Sequence, residues 1–401
     1  MLEKTKLLSV GTPILAMFSI LLIGVASASA QTETVLYSFA GSPDGAVPQS
    51  SLISDGSGNF YGTTVYGGTR DLGTVFQLSP DGYGGWNETV LHSFSGKDGA
   101  YPESSPLVFD NAGNLYGTTY YGGLSSCAYG CGVVYELSPE GKRWKQTVLY
   151  RFAGGTDGSG PVGNLITDAA GNLYGTLSQA GGVFRLTPSG NGWSEQLIYA
   201  ANVPKGGLVM DATGDLLGVT DSTVFELSPN GNGGWTSSVI HTFVGGPKDG
   251  SDPQGSLVFD RRGRLYGTTY AGGERNFGTA YMLRPDKGKN KGTWTWRIIH
   301  SFHGYPDDGS GPSAGLATNG NFWGTTVNGG ENNDGTVFEI TVTSDFITTF
   351  YSEYILWNFN GTDGAYPAYS PILDSAGNLY GTTPGGGSSG VGVVFELTPN
   401  P

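Results

Sequence analysis

Apolar residues along the chain fall into short runs that are separated by polar, glycine-rich connections. Four types of run recur, here called A to D: PLVFD at 106–110 (A), NLYGTT at 114–119 (B), GVVYELSP at 132–139 (C) and TVLHSF at 89–94 (D). Their alternation and their β-branched and aromatic content predict β-strands. The DNAG sequence between A and B predicts a hairpin turn, because Asp accepts backbone N–H bonds and Gly takes the left-handed conformation.

The four runs repeat seven times, with a period of about 53 residues. Every copy of run B carries a glycine after an aromatic or apolar residue, which we interpret as a point where neighbouring backbones approach closely. These steps are Tyr61-Gly62, Tyr116-Gly117, Tyr174-Gly175, Leu217-Gly218, Tyr266-Gly267, Trp323-Gly324 and Tyr380-Gly381. The chain has 69 glycines and only 13% charged residues, a composition that disfavours helices.

The order of the runs predicts how the repeats close. Run D comes first, as TVLYSF at 34–39, and the chain finishes with runs A, B and C. An initial D and a final ABC form one complete unit if they pair. We therefore predict an all-β fold: a single seven-bladed β-propeller over residues 31–401, with four-stranded antiparallel blades and an N-terminal strand that completes the C-terminal blade.

The first thirty residues predict a secretory signal peptide. Lys4 and Lys6 precede a long apolar run, and Ala28-Ser29-Ala30 places small residues where signal peptidase cuts. We expect cleavage before Gln31 and a secreted protein, extracellular or periplasmic. An uncleaved membrane anchor is the competing interpretation.

The charge and the cysteine content limit the partners and ligands that we expect for the protein. The formal net charge is −14, and removal of the signal peptide with its Lys4, Lys6 and Glu3 leaves −15. Such a surface repels phosphate backbones, so nucleic acid is not an expected partner.

Cys127 and Cys131 are most simply a disulfide in an exported protein. A metal site there would need two further ligands, and we expect no metal, no cofactor and no membrane contact after cleavage.

The strand order also predicts which residues share a face. The D–A and B–C connections emerge on one face, the loop face, and the A–B and C–D turns emerge on the other, the turn face. Six D–A loops carry an Asp-Gly pair, which is common turn chemistry and alternatively a ring of carboxylates for a cation or a polyhydroxyl ligand. The aspartates are Asp44, Asp98, Asp157, Asp249, Asp308 and Asp363.

Tyrosines occupy the same face. They are suited to stacking on sugar rings, although ordinary loop packing is the simpler interpretation. The candidates are Tyr66, Tyr101, Tyr120, Tyr121, Tyr270 and Tyr366. Copies three and four have short B–C loops, so we expect the rim to be lower on one side, a shape that suits a chain-like ligand.

A ring-bearing side chain stands at position four of every run D. Three of the four histidines of the chain fall at this position, where other copies place Tyr or Trp. The residues are Tyr37, His92, Tyr150, Tyr199, His241, His300 and Trp357. We interpret them as rings that pack between blades rather than as catalytic groups.

The repeated pattern D-x-x-G-N-L-Y-G-T-T-x-x-G-G, followed by G-T-V-F-E-L-(S/T)-P, resembles the GloVer tandem repeat of exported bacterial proteins. The resemblance covers about residues 33–400. It implies the fold and export, but no activity. Members often end in a C-terminal sorting anchor. This chain ends at Pro401 directly after run C, so we expect release rather than anchoring.

Three functions are compatible with these features. We favour a monomeric binding or cell-envelope interaction module, whose partner is a polysaccharide or another envelope protein. The first rival is a polysaccharide-degrading enzyme, a hydrolase or lyase that uses rim carboxylates. The second rival is a purely structural surface protein. No nucleophile elbow, zinc motif or phosphate-binding loop is present in the sequence.

Overall fold

The computed structural model describes residues 31–179, 181–190, 192–200, 204–286, 292–344 and 349–398. The predicted signal peptide lies outside the described residues. Within them the chain forms strands and loops, apart from one 3₁₀ turn at Gly155–Asp157. No helix among the described residues is long and apolar enough to cross a membrane.

Seven antiparallel sheets of four strands each form the blades of a β-propeller. Their strands A to D, from the central channel outwards, are Ile53–Ser54, Phe60–Thr64, Thr74–Pro80 and Trp86–Ser93 in blade 1; Val108–Phe109, Leu115–Thr119, Val133–Glu140 and Arg143–Arg151 in blade 2; Ser159–Thr167, Leu173–Gln179, Val183–Ser189 and Gly192–Tyr199 in blade 3; Val209–Met210, Leu216–Val219, Thr223–Pro229 and Trp235–Thr242 in blade 4; Gly250–Phe259, Leu265–Gly272, Thr279–Pro285 and Trp294–Ser301 in blade 5; Ala317–Thr318, Phe322–Thr326, Thr336–Ser344 and Thr349–Asn358 in blade 6; and Ile372–Leu373, Leu379–Thr383, Val393–Thr398 and Thr32–Ser38 in blade 7. Two-residue strands also pair on the loop face, Gly45–Ala46 with Tyr66–Gly67 and Gly309–Ser310 with Asn328–Gly329.

The first strand of the chain closes the ring. Thr32–Ser38 pairs antiparallel with Val393–Thr398, so that Thr32 stands opposite Thr398 and Ser38 opposite Val393. This strand is the outermost strand of blade 7, as the run order predicts. The number of blades and the closure are therefore confirmed.

The hydrophobic core lies between neighbouring blades rather than within each blade. One cluster joins Tyr61 and Val75 of blade 1 to Leu107, Leu115 and Val133 of blade 2, all of them buried. Both faces of strands B and C are covered by adjacent blades, which explains why LYGTT sequences are buried almost throughout. A blade is therefore stable only beside its neighbours.

The recurring glycine of strand B makes room for an aromatic side chain, not for a neighbouring backbone, which corrects the sequence interpretation. A Cβ atom on Gly62 would stand 2.6 Å from Cζ of Phe76 in strand C of the same blade. The other six glycines face the equivalent Tyr or Phe of their own blades at 2.5–2.7 Å. Ring and glycine thus form one packing unit in every blade.

The A–B turns use their aspartates as the sequence predicts. In blade 2, Oδ1 of Asp110 accepts hydrogen bonds from the backbone N–H groups of Ala112 (2.8 Å) and Asn114 (2.9 Å). Burial opposes ionisation of Asp110, but these bonds outweigh it and lower the pKa of the carboxyl. Blade 6 lacks this aspartate, and there Oγ1 of Thr318 accepts the N–H of Gly320.

Candidate functional site

The six rim aspartates are bonded into their own loops. Each accepts a backbone N–H from the second residue after the preceding strand D and contacts the ring at position four of that run. The ring-to-carboxylate distances are 3.2 Å for Tyr37–Asp44, 3.2 Å for His92–Asp98, 2.6 Å for Tyr150–Asp157, 3.3 Å for His241–Asp249, 3.4 Å for His300–Asp308 and 3.1 Å for Trp357–Asp363. The contact between the ring and the carboxylate thus holds the D–A loop that connects one blade to the next.

These contacts favour the turn role of the aspartates over ligand binding. Asp249, Asp308 and Asp363 are buried. Burial disfavours the charge of Asp98, but contacts with His92 and the Ser95 N–H outweigh it and lower its pKa to about 2. The carboxylates point into the loops, and their ligand-binding role stays a prediction.

One rim loop gathers residue types that bind metals. Ligand atoms of His300, Asp308 and Glu353 lie within 4.8 Å of one another. The same arrangement of ring, aspartate and glutamate recurs at the junction of Trp357, Asp363 and Glu33. There a tryptophan, which is a poor metal ligand, takes the place of the histidine. Because the geometry repeats without the histidine, we interpret the grouping as a packing unit of the blade junction.

Four half-buried glutamates complete these junctions. They lie on outermost strands, each with an Oε1 atom that is buried and has no hydrogen-bond partner among the described residues. Burial first, and then an aspartate of the adjoining rim loop, raise their pKa values to about 8 for Glu33 (with Asp363), about 7 for Glu88 (with Asp44), about 7 for Glu195 (with Asp157) and about 8 for Glu353 (with Asp308). At neutral pH the carboxyls of Glu33 and Glu353 are thus mostly protonated, and those of Glu88 and Glu195 are about half protonated.

Blade 2 supports this protonation state. It carries Gln146 at the position of these glutamates, and Nε2 of Gln146 donates a hydrogen bond of 3.1 Å to the backbone oxygen of Asp98. A protonated glutamate offers the same kind of donor. These glutamates were not recognisable from the sequence, because an acidic residue in an outer strand normally faces solvent.

Five tyrosines form a continuous run on the loop face of blades 1 and 2, here called the tyrosine run. Tyr101 lies between Tyr66 (ring centroids 5.5 Å apart) and Tyr121 (6.0 Å). Tyr121 then contacts Tyr120 at 4.6 Å and Tyr129 at 5.6 Å. All these contacts are edge-to-face, the arrangement that aromatic rings prefer. The run presents ring faces at several angles along one surface.

Tyr129 is the member that the sequence analysis missed. It lies outside the repeat pattern, in the loop that the Cys127–Cys131 disulfide closes. This disulfide confirms the pairing expected from the sequence. The side chain of Tyr129 is 74% exposed, although a loop tied at both ends holds its backbone. Its place between two cysteines was the available signal.

The backbone of Tyr101 has a positive φ angle of +53°, a left-handed conformation that residues with a side chain rarely adopt. The same loop position has a positive φ in the five other Asp-Gly loops, at Val47, Gly160, Asp252, Gly311 and Tyr366. The conformation therefore belongs to the repeated rim loop, and it fixes the backbone from which the Tyr101 ring projects.

The remaining predicted tyrosines stand apart from the run. Tyr366 is 45% exposed and also has a positive φ of 62°, whereas Tyr270 is 38% exposed and packs over Gly311. Neither makes an aromatic contact among the described residues. The structure thus brings Tyr66, Tyr101, Tyr120 and Tyr121 together and leaves two candidates elsewhere on the face.

The surroundings of the run are open on one side. The B–C connection of blade 2 spans Thr119 to Val133, whereas that of blade 4 spans only Val219 to Thr223. Tyr120 reaches towards this lower side, where its hydroxyl accepts a 2.8 Å hydrogen bond from Gln179 of blade 3. The low side predicted from the short loops of copies three and four is therefore present.

A narrow channel runs along the propeller axis. It encloses about 230 Å³ and is lined by mostly small residues of all seven blades, among them Ser51, Ser104, Asn164, Gly206, Ser256, Ala314 and Ser370. Glu103 interacts with both features: burial raises its pKa, and its charge acts on Tyr121 of the tyrosine run and on Tyr369, which lines the channel. The sequence analysis did not single out this residue.

Fold and site together define a seven-bladed propeller built from one repeat, with its distinctive surface on the loop face. The chain belongs to the Gloeobacter/Verrucomicrobia repeat family, whose model matches residues 24–223, 178–352 and 289–401. The resemblance read from the repeat pattern is therefore confirmed. No curated protein matches the chain.

Solved structures share the fold at low identity. Virginiamycin B lyase from Staphylococcus aureus is 14% identical, with a TM-score of 0.56 over 92% of this chain and 98% of that chain. The catalytically inactive lyase with quinupristin gives 0.57 over the same shares, at 14% identity. A protein from Lactobacillus plantarum is 14% identical, with a TM-score of 0.51 over 80% of this chain and 87% of that chain. These likenesses support the propeller fold alone.

Proposed function

We propose that the protein is an exported, monomeric, non-enzymatic module that binds a polysaccharide chain along the tyrosine run. The observation that carries the proposal is the unbroken series of ring contacts from Tyr66 through Tyr101 and Tyr121 to Tyr129. Aromatic rings that stand side by side stack on successive sugar rings of a chain, and the low side beyond Tyr120 leaves room for the chain to continue.

Phenol hydroxyls add hydrogen bonds to this stacking. Burial and neighbouring tyrosine and acidic groups raise the pKa values of Tyr101 and Tyr121. Both hydroxyls therefore stay protonated and can donate to sugar oxygens at any physiological pH. Sugar recognition combines such donors with ring faces, and the tyrosine run supplies both.

A glycan array with the mature protein tests this function. Tyr101→Ala and Tyr121→Ala should each weaken binding by about 1–2 kcal/mol, the usual effect of removing an aromatic anchor. Tyr83→Ala is the matched control, because Tyr83 is 97% exposed in a C–D turn on the turn face. Unchanged affinity in both run variants, or an equal loss in the control, would contradict the proposal.

Release of sugar products distinguishes the alternative function, a polysaccharide-degrading enzyme, from a binding module. A polysaccharide-degrading enzyme needs a carboxyl group that stays protonated near its substrate, and Glu103 beside the tyrosine run has a raised pKa. Reducing-sugar release should be absent from the wild-type protein with every glycan that it binds. Release that disappears in Glu103→Gln would replace the binding module with an enzyme.

Export is tested separately by intact mass. We expect the form recovered outside the cytoplasm to begin at Gln31, after removal of residues 1–30. The same spectrum should show a chain lighter by the two thiol hydrogens of Cys127 and Cys131, since the disulfide is formed. A full-length chain retained in the membrane fraction would instead support an uncleaved anchor.

A further inference from the structure

An arginine cluster on the turn face breaks the repeat of an otherwise acidic protein. The A–B turn of blade 5 reads Asp260-Arg-Arg-Gly-Arg264, whereas four sister turns carry small or polar residues at the two central positions and Asn at the last. In those four turns the Asn Nδ2 donates to the turn aspartate. The turn therefore folds without arginine, and Arg261 and Arg262 are not required for it.

Two further positions of blade 5 depart from the repeat in the same way. Arg284 ends strand C where the six other copies have Ser or Thr, and Arg297 lies on strand D where no other copy has a charged residue. Arg261, Arg262, Arg284 and Arg297 are all exposed. Four independent substitutions of this kind on one surface indicate a binding function rather than a folding requirement.

The cluster lines two adjoining clefts between blades 5 and 6. One is lined by Arg262, Arg264 and Arg284 together with Thr295 and Thr349. The other shares Arg262, Arg264 and Thr349 with it and continues past Arg261 to Thr318, Asn319 and Asn321 of the blade 6 turn. The two clefts together form a groove lined by arginines and by hydroxyl and amide side chains.

Aromatic contacts hold two of the arginines in place. The guanidinium carbon of Arg264 lies 5.6 Å from the ring centroid of Tyr266, and that of Arg297 lies 5.4 Å from the ring centroid of Tyr351. The hydroxyls of these two tyrosines are 3.3 Å apart across the blade boundary. Such packing reduces the conformational entropy that the side chains lose when a ligand binds.

The charge balance of the groove leaves cations in excess. Asp260 is engaged by Arg264, whose Nε lies 2.6 Å from Oδ2. Asp286 lines one cleft, and Glu339 receives the Nδ2 hydrogen bond of Asn321 at 2.7 Å. Four arginines thus line the groove with two carboxylates, those of Asp260 and Asp286, on a chain whose formal net charge is −14.

We propose that this groove binds an anionic polysaccharide, at a second site on the face opposite the tyrosine run. Guanidinium forks bind carboxylate groups in bidentate fashion, which suits a chain of uronate residues. The Thr and Asn side chains between them are suited to the hydroxyls of the same chain. A membrane surface would need no such groove, and it is therefore an outcome of the test rather than the occupant.

Polygalacturonate oligosaccharide and its methyl-esterified form are the probes, because they differ in charge but share one sugar backbone. We expect the mature protein to bind the acidic form and not the ester, with an affinity that falls as salt is raised. The triple variant Arg261→Gln, Arg262→Gln and Arg284→Gln should lose roughly tenfold or more of this affinity. Arg264 is left intact because it completes the turn.

A matched triple variant removes the same charge elsewhere on the turn face. Lys142→Gln, Arg143→Gln and Lys145→Gln in blade 2 should leave the affinity within about twofold, since long-range attraction alone is screened by salt. Equal loss in both triple variants, equal binding of the ester, or no binding of the acidic form would overturn the proposal. So would arginine-dependent binding to vesicles of phosphatidylglycerol with none to polygalacturonate.

Variants of the tyrosine run separate this inference from the proposed function. Tyr101→Ala and Tyr121→Ala should bind polygalacturonate as the wild-type protein does. A loss in these variants would place the acidic chain on the loop face and would contradict the second site. Failure of the glycan array, in contrast, would leave the arginine groove unaffected.

Discussion

At the scale of single residues, one glycine and one ring recur in every blade as a matched pair. In blade 3, a Cβ atom on Gly175 would stand 2.5 Å from Cζ of Phe184. Phe184 is fully buried and packs against Phe152 and Leu165 in the same core cluster. The sequence shows the glycine in all seven copies, but not its reason, because only the pairing of strands B and C brings the ring over it.

The first prediction concerns this pair. Gly175→Ala should destabilise the protein by about 1–3 kcal/mol in urea unfolding, because the added methyl group overpacks a filled core. Gly192→Ala is the control, since no atom lies within 4 Å of a Cβ at that position. Equal stability of the two variants would contradict the packing unit.

At the scale of elements, the outermost strands carry the acidic residues that couple one blade to the next. Glu33, Glu88, Glu195 and Glu353 have pKa values raised to about 7 or 8, above the ordinary value of 4.5. The folded protein therefore holds more protons on these groups than the unfolded chain does between pH 4.5 and 8. Their stabilising contribution is complete below that range and is lost as the pH rises through it.

The pH dependence of the melting temperature tests this coupling. We expect the melting temperature to fall between pH 5 and pH 9, and Glu353→Gln to raise it at pH 9 by roughly 2–4 °C relative to the wild type. The variant should show little gain at pH 5, where Glu353 is protonated. Gln146→Glu, which adds a fifth glutamate, should steepen the decline; a decline unchanged by both variants would contradict the assignment.

At the scale of the whole molecule, the run order was sufficient to predict the number of blades and their closure. The repeat gives one blade per copy, and the first strand has a partner only at the other end of the chain. The candidate functional surfaces were harder to predict from the sequence, because they depend on residues that depart from the repeat. Tyr129 lies outside the repeat, and the net charge of −14 conceals the arginines of blade 5.

The closing strand provides a prediction at this scale. Deletion of residues 31–40 should lower the free energy of unfolding by several kcal/mol, because it exposes the edge of strand C in blade 7 and removes the buried Leu36 and Phe39. Addition of a peptide of that sequence should restore part of the loss. Urea unfolding curves that coincide for the truncated and intact proteins would contradict the closure.

The same closure sets the order of events during synthesis. Ser38 contacts Ser388, 350 positions further along the chain. The first strand to be synthesised can therefore pair only after the last segment has been synthesised. At about 5–20 residues per second this delay lasts on the order of tens of seconds. Throughout it the nascent ring stays open with two unpaired strand edges, and the final step of folding is a loop closure that involves almost every residue already made.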